Sequence, residues 1–296
     1  MKLKMILFAL ATAVLISCGI KTQQTDNAED MTITMKDSVS HQSGYSDVNG
    51  LSMYYEIYGE GKPLVLIHGG GSTIQTSFSN IIPYLAKHRQ IITMELQAHG
   101  RTNDRDTDLS FKQDADDIAV LLKNLHIPKA DILGFSNGGQ DAIDLAMYYP
   151  DMVNKLILAS TFYQRSAAPD QFWEGFDHVK FSDMPQSLKD GFLAVNNNDD
   201  ALLNMFNKDV QRMKSFKDWS DEQMASISAP TLIMNSSMDV GSPEHAVKMY
   251  HIIPNSELVI LPGKHGGYLG TTDYLERDKW EQAFVTDIIE NFLDGS

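Results

Sequence analysis

"ILGFSNGGQDA", residues 132–142, sets a serine between glycines just where an apolar run gives way to a helical pattern. The run before it, "ADILGFS" (130–136), is short and apolar, which predicts a buried strand. After it, Gly139, Ala142, Ile143, Ala146 and Met147 mark a helix that stops before Pro150. A G-x-S-x-G run also arises by chance, so its surroundings decide whether Ser136 is a turn residue or a nucleophile.

Working outward, "PLVLIHGGG" (63–71), "QIITMEL" (90–96), "KLILAS" (155–160), "PTLIMNS" (230–236) and "ELVILPG" (257–263) are further continuous apolar runs and predict strands. "YSDVNGLSMYYEIYGEG" (45–61) predicts two strands joined at Asn49-Gly50, a favoured hairpin dipeptide. Between the runs lie helical patterns. Ser110 and Gln113 form an S-x-x-Q capping box ahead of Ile118, Leu121, Leu122 and Leu125. Near the end, Trp280, Phe284, Ile288 and Phe292 repeat at i, i+4. Apolar strands alternating with amphipathic helices imply an α/β fold, a mainly parallel sheet with helices on both faces. The alternation breaks over about 162–228, where the chain reads as helical and irregular, rich in Phe, Trp and Met. That is a cap inserted between two strands. Phe172, Trp173, Phe176, Phe181, Phe192, Phe206, Phe216 and Trp219 supply apolar surface to roof a pocket and to pack the cap onto the core.

An open parallel sheet presents reactive groups on loops at the carboxyl ends of its strands. Four such loops carry His68-Gly69-Gly70-Gly71, Gly134-Phe135-Ser136-Asn137-Gly138, Asp239 and His265-Gly266, so that serine, acid and histidine follow in that chain order. From about Tyr45 to the C-terminus the chain resembles the α/β-hydrolase fold superfamily. The resemblance makes Gly134 to Gly138 the nucleophile elbow, a strained turn whose flanking glycines avoid clashes with the neighbouring strand and helix and which lifts the serine Oγ clear of the backbone. It implies Ser136 as nucleophile, His265 as base and Asp239 as the acid that orients the imidazole, with Glu244 a rival for the acid's place. The amides of Asn137 and Gly70 become the oxyanion donors, with Gly71 able to share that task. No metal or organic cofactor is required. His68 and His99 take structural places in the family pattern. His126, His178, His245 and His251 fall on helical segments as surface or cap residues, and His41 precedes the domain. "MELQAHGRT" (94–102) departs from the family loop at Gln97 and Ala98, Ser236 stands where a glycine is usual, and Asn137 replaces an apolar residue. These departures bear on substrate specificity and leave the triad intact.

The 296 residues suffice to bury a full core, and a net charge of −15 excludes nucleic acid as a partner. The first residues, "MKLKMILFALATAVLISC", combine Lys2 and Lys4 with an apolar run from Met5 to Ile16, the pattern of an export signal. Leu15-Ile16-Ser17-Cys18 resembles the bacterial lipobox, which implies a signal peptide over 1–17, lipidation of Cys18, the sole cysteine, and a polar tether over 18–44. The domain then spans 45–296. The expected partners are a small acyl substrate and a membrane reached through the lipid, facing the periplasm, with no protein partner inferred. Hydrolysis of a small carboxylic ester is the first expectation. Lactone opening, proline iminopeptidase-like cleavage and perhydrolase chemistry are alternatives on the same triad. A lipid-anchored binding protein without turnover is the alternative of another class.

Overall fold

The computed structural model describes residues 40–272 and 279–295. Residues 1–39, with the expected signal peptide, Cys18 and most of the tether, lie outside them. Eight strands form one sheet: β1 His41–Val48, β2 Leu51–Tyr58, β3 Lys62–Ile67, β4 Arg89–Met94, β5 Ala130–Phe135, β6 Val153–Ala159, β7 Thr231–Met238 and β8 Ser256–Lys264. Their spatial order is β1-β2-β4-β3-β5-β6-β7-β8. The β1–β2 and β2–β4 pairs are antiparallel, and every pair from β4 through β3 to β8 is parallel.

The apolar runs became strands, the central ones covered on both faces and β8, at the sheet edge, only in part, with Ile260 exposed. In β3, Leu64 and Leu66 pack on one side of the sheet while Val65 and Ile67 pack on the other, as the two-residue period of a strand requires. One side is covered by α3 Phe111–Asn124, α4 Asn137–Tyr148 and α9 Pro243–Ile252, which lend it Ile118, Ile143 and Met249. The other side is covered by α1 Ile74–Phe78, α2 Ile82–Leu85 and α10 Lys279–Asp294. Between β6 and β7 stand four helices and no strand: α5 Asp170–His178, α6 Gln186–Val195, α7 Asp199–Lys214 and α8 Asp221–Ala225. They are the expected cap.

Three expectations change. β1 begins at His41, four residues before Tyr45, so 41–44 belong to the sheet and not to a tether; the His41 ring lies 4.8 Å from that of Tyr58. The capping box forms only half. Ser110 Oγ accepts the Gln113 amide (3.1 Å), but the Gln113 side chain donates forward to Asp117 (2.9 Å), a stronger acceptor than the cap. On α10 the buried face is Val285, Ile289, Phe292 and Leu293, whereas Phe284 is 52% exposed. A strict i, i+4 stripe drifts around a 3.6-residue helix, so Phe284 and Phe292 do not share a face, and it is Phe292 that meets the core. The Asn49-Gly50 hairpin forms as expected, with φ of 46° and 79° at the two turn residues.

Arg89, at the start of β4, is among the largest fully buried side chains. Its guanidinium meets Asp131 of β5 (3.3 Å), Glu290 (2.6 Å) and Asp294 (2.8 Å) of α10, closing the end of the sheet remote from the strands' carboxyl termini. Truncating one partner of such a cluster strands the others. Arg89→Ala is expected to lower unfolding stability by about 3 kcal/mol in urea titration, with little change in the slope.

Candidate active site

Ser136 joins β5 to α4 at φ 55°, ψ −122°, a conformation a serine adopts only when its surroundings impose it. The glycines around it impose it by allowing close approach. A Cβ on Gly134 would stand 2.2 Å from the Gly138 carbonyl oxygen, one on Gly138 2.2 Å from that of Ile67, and one on Gly139 2.5 Å from the Thr161 side chain. With only hydrogens there, α4 seats directly against the ends of β3 and β5, and Ser136 N–H donates to Ala159 O at 2.9 Å.

His265 follows β8, and its Nε2 lies 3.0 Å from Ser136 Oγ. On the other side its Nδ1 lies 2.6 Å from Asp239 Oδ1, on the loop after β7. Three residues separated by up to 129 positions in the chain thus form one continuous hydrogen-bonded line. The Asp239 side chain is buried. Burial alone would raise its carboxyl, but the His265 hydrogen bond and charge, Ser160 Oγ (2.6 Å) and the Ser236 amide (3.1 Å) outweigh it and hold the group below the usual aspartate range. Asp239 is therefore ionised and fixed, the state needed to orient an imidazole and stabilise it when protonated. Glu244, the rival acid, stands in the first turn of α9, and it makes none of these contacts.

Ser160, at the end of β6, is a participant that sequence reasoning missed. It holds φ 50°, donates to Asp239 Oδ2 and lies 3.0 Å from the Tyr268 hydroxyl. Its place at the carboxyl end of a central strand is the one signal the sequence carries, and no motif marks a serine there.

Gly70 and Asn137 both line the cavity beside Ser136 and His265. The Asn137 amide opens α4, where an N–H has no carbonyl one turn back. Gly71 is placed differently from expectation. Its amide donates to Asp209 Oδ2 at 2.6 Å, so it is already engaged and does not share the Gly70 position. A Cβ on Gly70 would stand 2.6 Å from Asn137 Nδ2, so the glycine lets the two oxyanion-side segments meet. His68 is structural: its Nε2 accepts the Leu96 amide (3.1 Å), its Nδ1 faces Gly69 O (2.8 Å), and burial pushes its imidazole down to about 3, keeping it neutral. His99 is buried against Asp209. His126, His178 and His251 are exposed, but His245 is a correction: it is buried and accepts the Tyr163 amide at 3.3 Å, pushed down to about 4 by burial.

The cavity above Ser136 measures about 290 Å³. Of the cap aromatics, Phe172, Phe176 and Phe206 face it, while Trp173, Phe192, Phe216 and Trp219 are buried in the packing of cap and core. Met184, Val210 and Met213 add to its apolar wall. Among the described residues lining it, the ionisable side chains besides His265 are two acids, Asp183 and Asp209.

A sequence profile for the alpha/beta hydrolase fold matches residues 62–206. Over 272 residues the chain is 25% identical to the 2-hydroxy-6-oxo-6-(2'-aminophenyl)hexa-2,4-dienoic acid hydrolase of Metapseudomonas resinovorans, covering 82% of this chain and 90% of that one. Over 252 residues it is 26% identical to the serine hydrolase BPHL of Homo sapiens, covering 80% and 84%. Among solved structures it is similar to a serine hydrolase involved in carbazole degradation, with a TM-score of 0.69 at 20% identity over 85% of this chain and 100% of that one. It is likewise similar to the enol-lactonase of Burkholderia xenovorans LB400, with a TM-score of 0.66 at 17% identity over 84% and 99%. At these identities the two structures share the fold.

The Asp239 contacts predict graded losses. Asp239→Asn should cut kcat about 10⁴-fold by presenting the wrong imidazole tautomer. Ser160→Ala, which leaves the Ser236 amide in place, should cost about tenfold. Steady-state rates with an aryl ester check both, and equal losses would contradict the supporting role of Ser160.

Proposed function

The chain is a hydrolase of the α/β-hydrolase fold, and from that premise we propose that it cleaves small carboxylic esters with uncharged acyl groups through an acyl-enzyme on Ser136. The observation that carries the reading is the His265 imidazole, bonded at one nitrogen to Ser136 Oγ (3.0 Å) and at the other to Asp239 (2.6 Å). His265 Nε2 takes the hydroxyl proton as Oγ attacks the carbonyl carbon. The carbonyl oxygen becomes an oxyanion facing the Gly70 and Asn137 amides, a type of contact worth about 3 kcal/mol per donor. The imidazolium, held by Asp239, then gives its proton to the leaving alkoxide. Water repeats the sequence on the acyl-enzyme and releases the acid.

The substrate's charge follows from the wall. The relative from Metapseudomonas resinovorans is named for a dienoic acid. Here a carboxylate on the substrate would lie in an apolar cavity beside Asp183 and Asp209, with no Lys or Arg among the described lining residues. A buried charge without a partner is costly. A volume of about 290 Å³ favours short acyl groups. Lactones satisfy the same requirements and form the second reading.

A fluorophosphonate probe is expected to label the wild type and not Ser136→Ala. In a panel of aryl esters and lactones, neutral substrates should exceed carboxylate-bearing ones of equal size by at least about tenfold in kcat/KM, the size of a 1.4 kcal/mol penalty. Faster turnover of the anionic members would reverse the assignment of substrate charge.

For the N-terminus, the basic start, the apolar run and Leu15-Ile16-Ser17-Cys18 support lipidation of Cys18 and membrane attachment facing the periplasm. Intact mass of protein extracted from membranes should show a chain beginning at Cys18 with acyl additions, and Cys18→Ala should abolish both the additions and the cleavage before residue 18. An unmodified cysteine would rule out the anchor.

A further inference from the structure

The loop that carries the oxyanion donor is three glycines long, and glycine imposes little on its own φ and ψ. Its order has to come from outside. The peptide between Gly70 and Gly71 is held at both ends: the Gly71 N–H donates to Asp209 Oδ2 at 2.6 Å, and the Gly70 carbonyl accepts from Ser72 Oγ at 3.4 Å. Of these two bonds the first is short and charge-assisted, and it comes from α7 in the cap, 138 residues away.

We propose that Asp209 is a positioning residue through which the docked cap sets the oxyanion loop, the juxtaposition of its carboxylate with the Gly71 amide orienting the adjoining Gly70 N–H toward the reacting carbonyl. The inference rests on the reading of Ser136 as nucleophile. Asp209 is itself tightly held. Its Oδ2 also meets His99 Nε2 (3.0 Å), and its Oδ1 accepts from Arg212 Nη2 (2.7 Å), whose Nη1 donates to Asp114 (2.9 Å). His99 Nδ1 faces the Gln97 carbonyl at 2.8 Å. An imidazole between a carbonyl and a carboxylate donates to both only when protonated. The carboxylate therefore lies between two cations, and although burial opposes its charge, they hold it ionised. His99 and Arg212 thus hold the Asp209 carboxylate in place, and the amide bonded to it is held with it. The arrangement also explains why Gly71 is excluded from the oxyanion: its hydrogen is spent on fixing the position of its neighbour.

The test compares Asp209→Ala, Asp209→Asn and Lys208→Ala with the wild type. Lys208, one residue away on α7, ties the cap to the 104–107 segment through Asp104, the Arg105 carbonyl and the Thr107 carbonyl, and it does not line the cavity. It removes a cap attachment without touching the oxyanion loop. Asp209→Ala is expected to lower kcat about 30- to 100-fold, approaching the loss of a whole oxyanion donor, with KM within about threefold. Affinity for an aryl boronic acid, which forms a tetrahedral anion on the serine, should fall in parallel. Asp209→Asn keeps an uncharged acceptor and should recover part of the loss, to about 5- to 10-fold below wild type. Lys208→Ala should keep kcat and boronate affinity within about twofold. Unchanged kcat in Asp209→Ala, a loss confined to KM, or an equal loss in Lys208→Ala overturns the proposal. If Asp209→Ala does not fold, wild-type kcat and boronate affinity in Asp209→Asn overturn it. A wild type that fails to react with fluorophosphonate overturns the reading of Ser136 and this inference together, whereas a labelled wild type with an indifferent Asp209 overturns this inference alone.

Discussion

The site depends on one close approach, that of α4 to the ends of β3 and β5. Ser136 holds φ 55° only because the chain on both sides of it is pinned, and the pinning is possible because Gly134, Gly138 and Gly139 add no side chain where backbone atoms of the neighbouring elements already stand. Such a conformation costs on the order of 1–3 kcal/mol, which the packing of a buried strand and helix offsets. In return the hydroxyl stands at the head of a helix, beside the first amide of that helix, which has no internal acceptor, and close to the glycine loop after β3. A single packing contact thus places Ser136 and the Asn137 amide beside the glycine loop, in the arrangement the proposed mechanism uses.

The acid–base half of the site is built by a different means. Asp239 and His265 come from neighbouring parallel strands, β7 and β8, whose register carries their trailing loops to the same edge of the sheet. A carboxylate buried there would tend to take up a proton. Hydrogen bonds from Ser160 and from the Ser236 amide, together with the imidazole itself, reverse that tendency. Ser160 in turn packs against the Tyr268 hydroxyl, which donates to Met234 O at 3.2 Å. The orientation of His265 thus reaches back into the rigid core of the sheet, and this fixes its distance to Ser136 before any substrate arrives.

The cap contributes both an apolar roof and a charged underside. Phe172, Phe176 and Phe206 face the cavity, while Asp209 and Arg212 on α7 face the glycine loop, His99 and Asp114. Helix α7 therefore supplies part of the cavity wall, Phe206, together with the carboxylate bonded to the glycine loop, while α5 supplies Phe172 and Phe176. Among the described residues that line the cavity, the same placement leaves two acids, Asp183 and Asp209, and no Lys or Arg.

The amino-acid sequence by itself determined the sheet, its alternation with helices, the inserted cap and the chain order of Ser136, Asp239 and His265, because those properties are local: apolar runs, helical spacing and glycines at a turn are readable residue by residue. Where local pattern competed with packing it failed, as at Phe284, which the helical turn carries off the core face, and at Gln113, whose side chain found Asp117 in place of the cap. Only the tertiary structure decided that Ser160 bonds Asp239, that His245 is buried, and that the Gly71 amide donates to Asp209. Each of these joins residues some 80 to 140 positions apart, and a hydrogen bond depends on distances of a few ångströms that no one-dimensional spacing encodes.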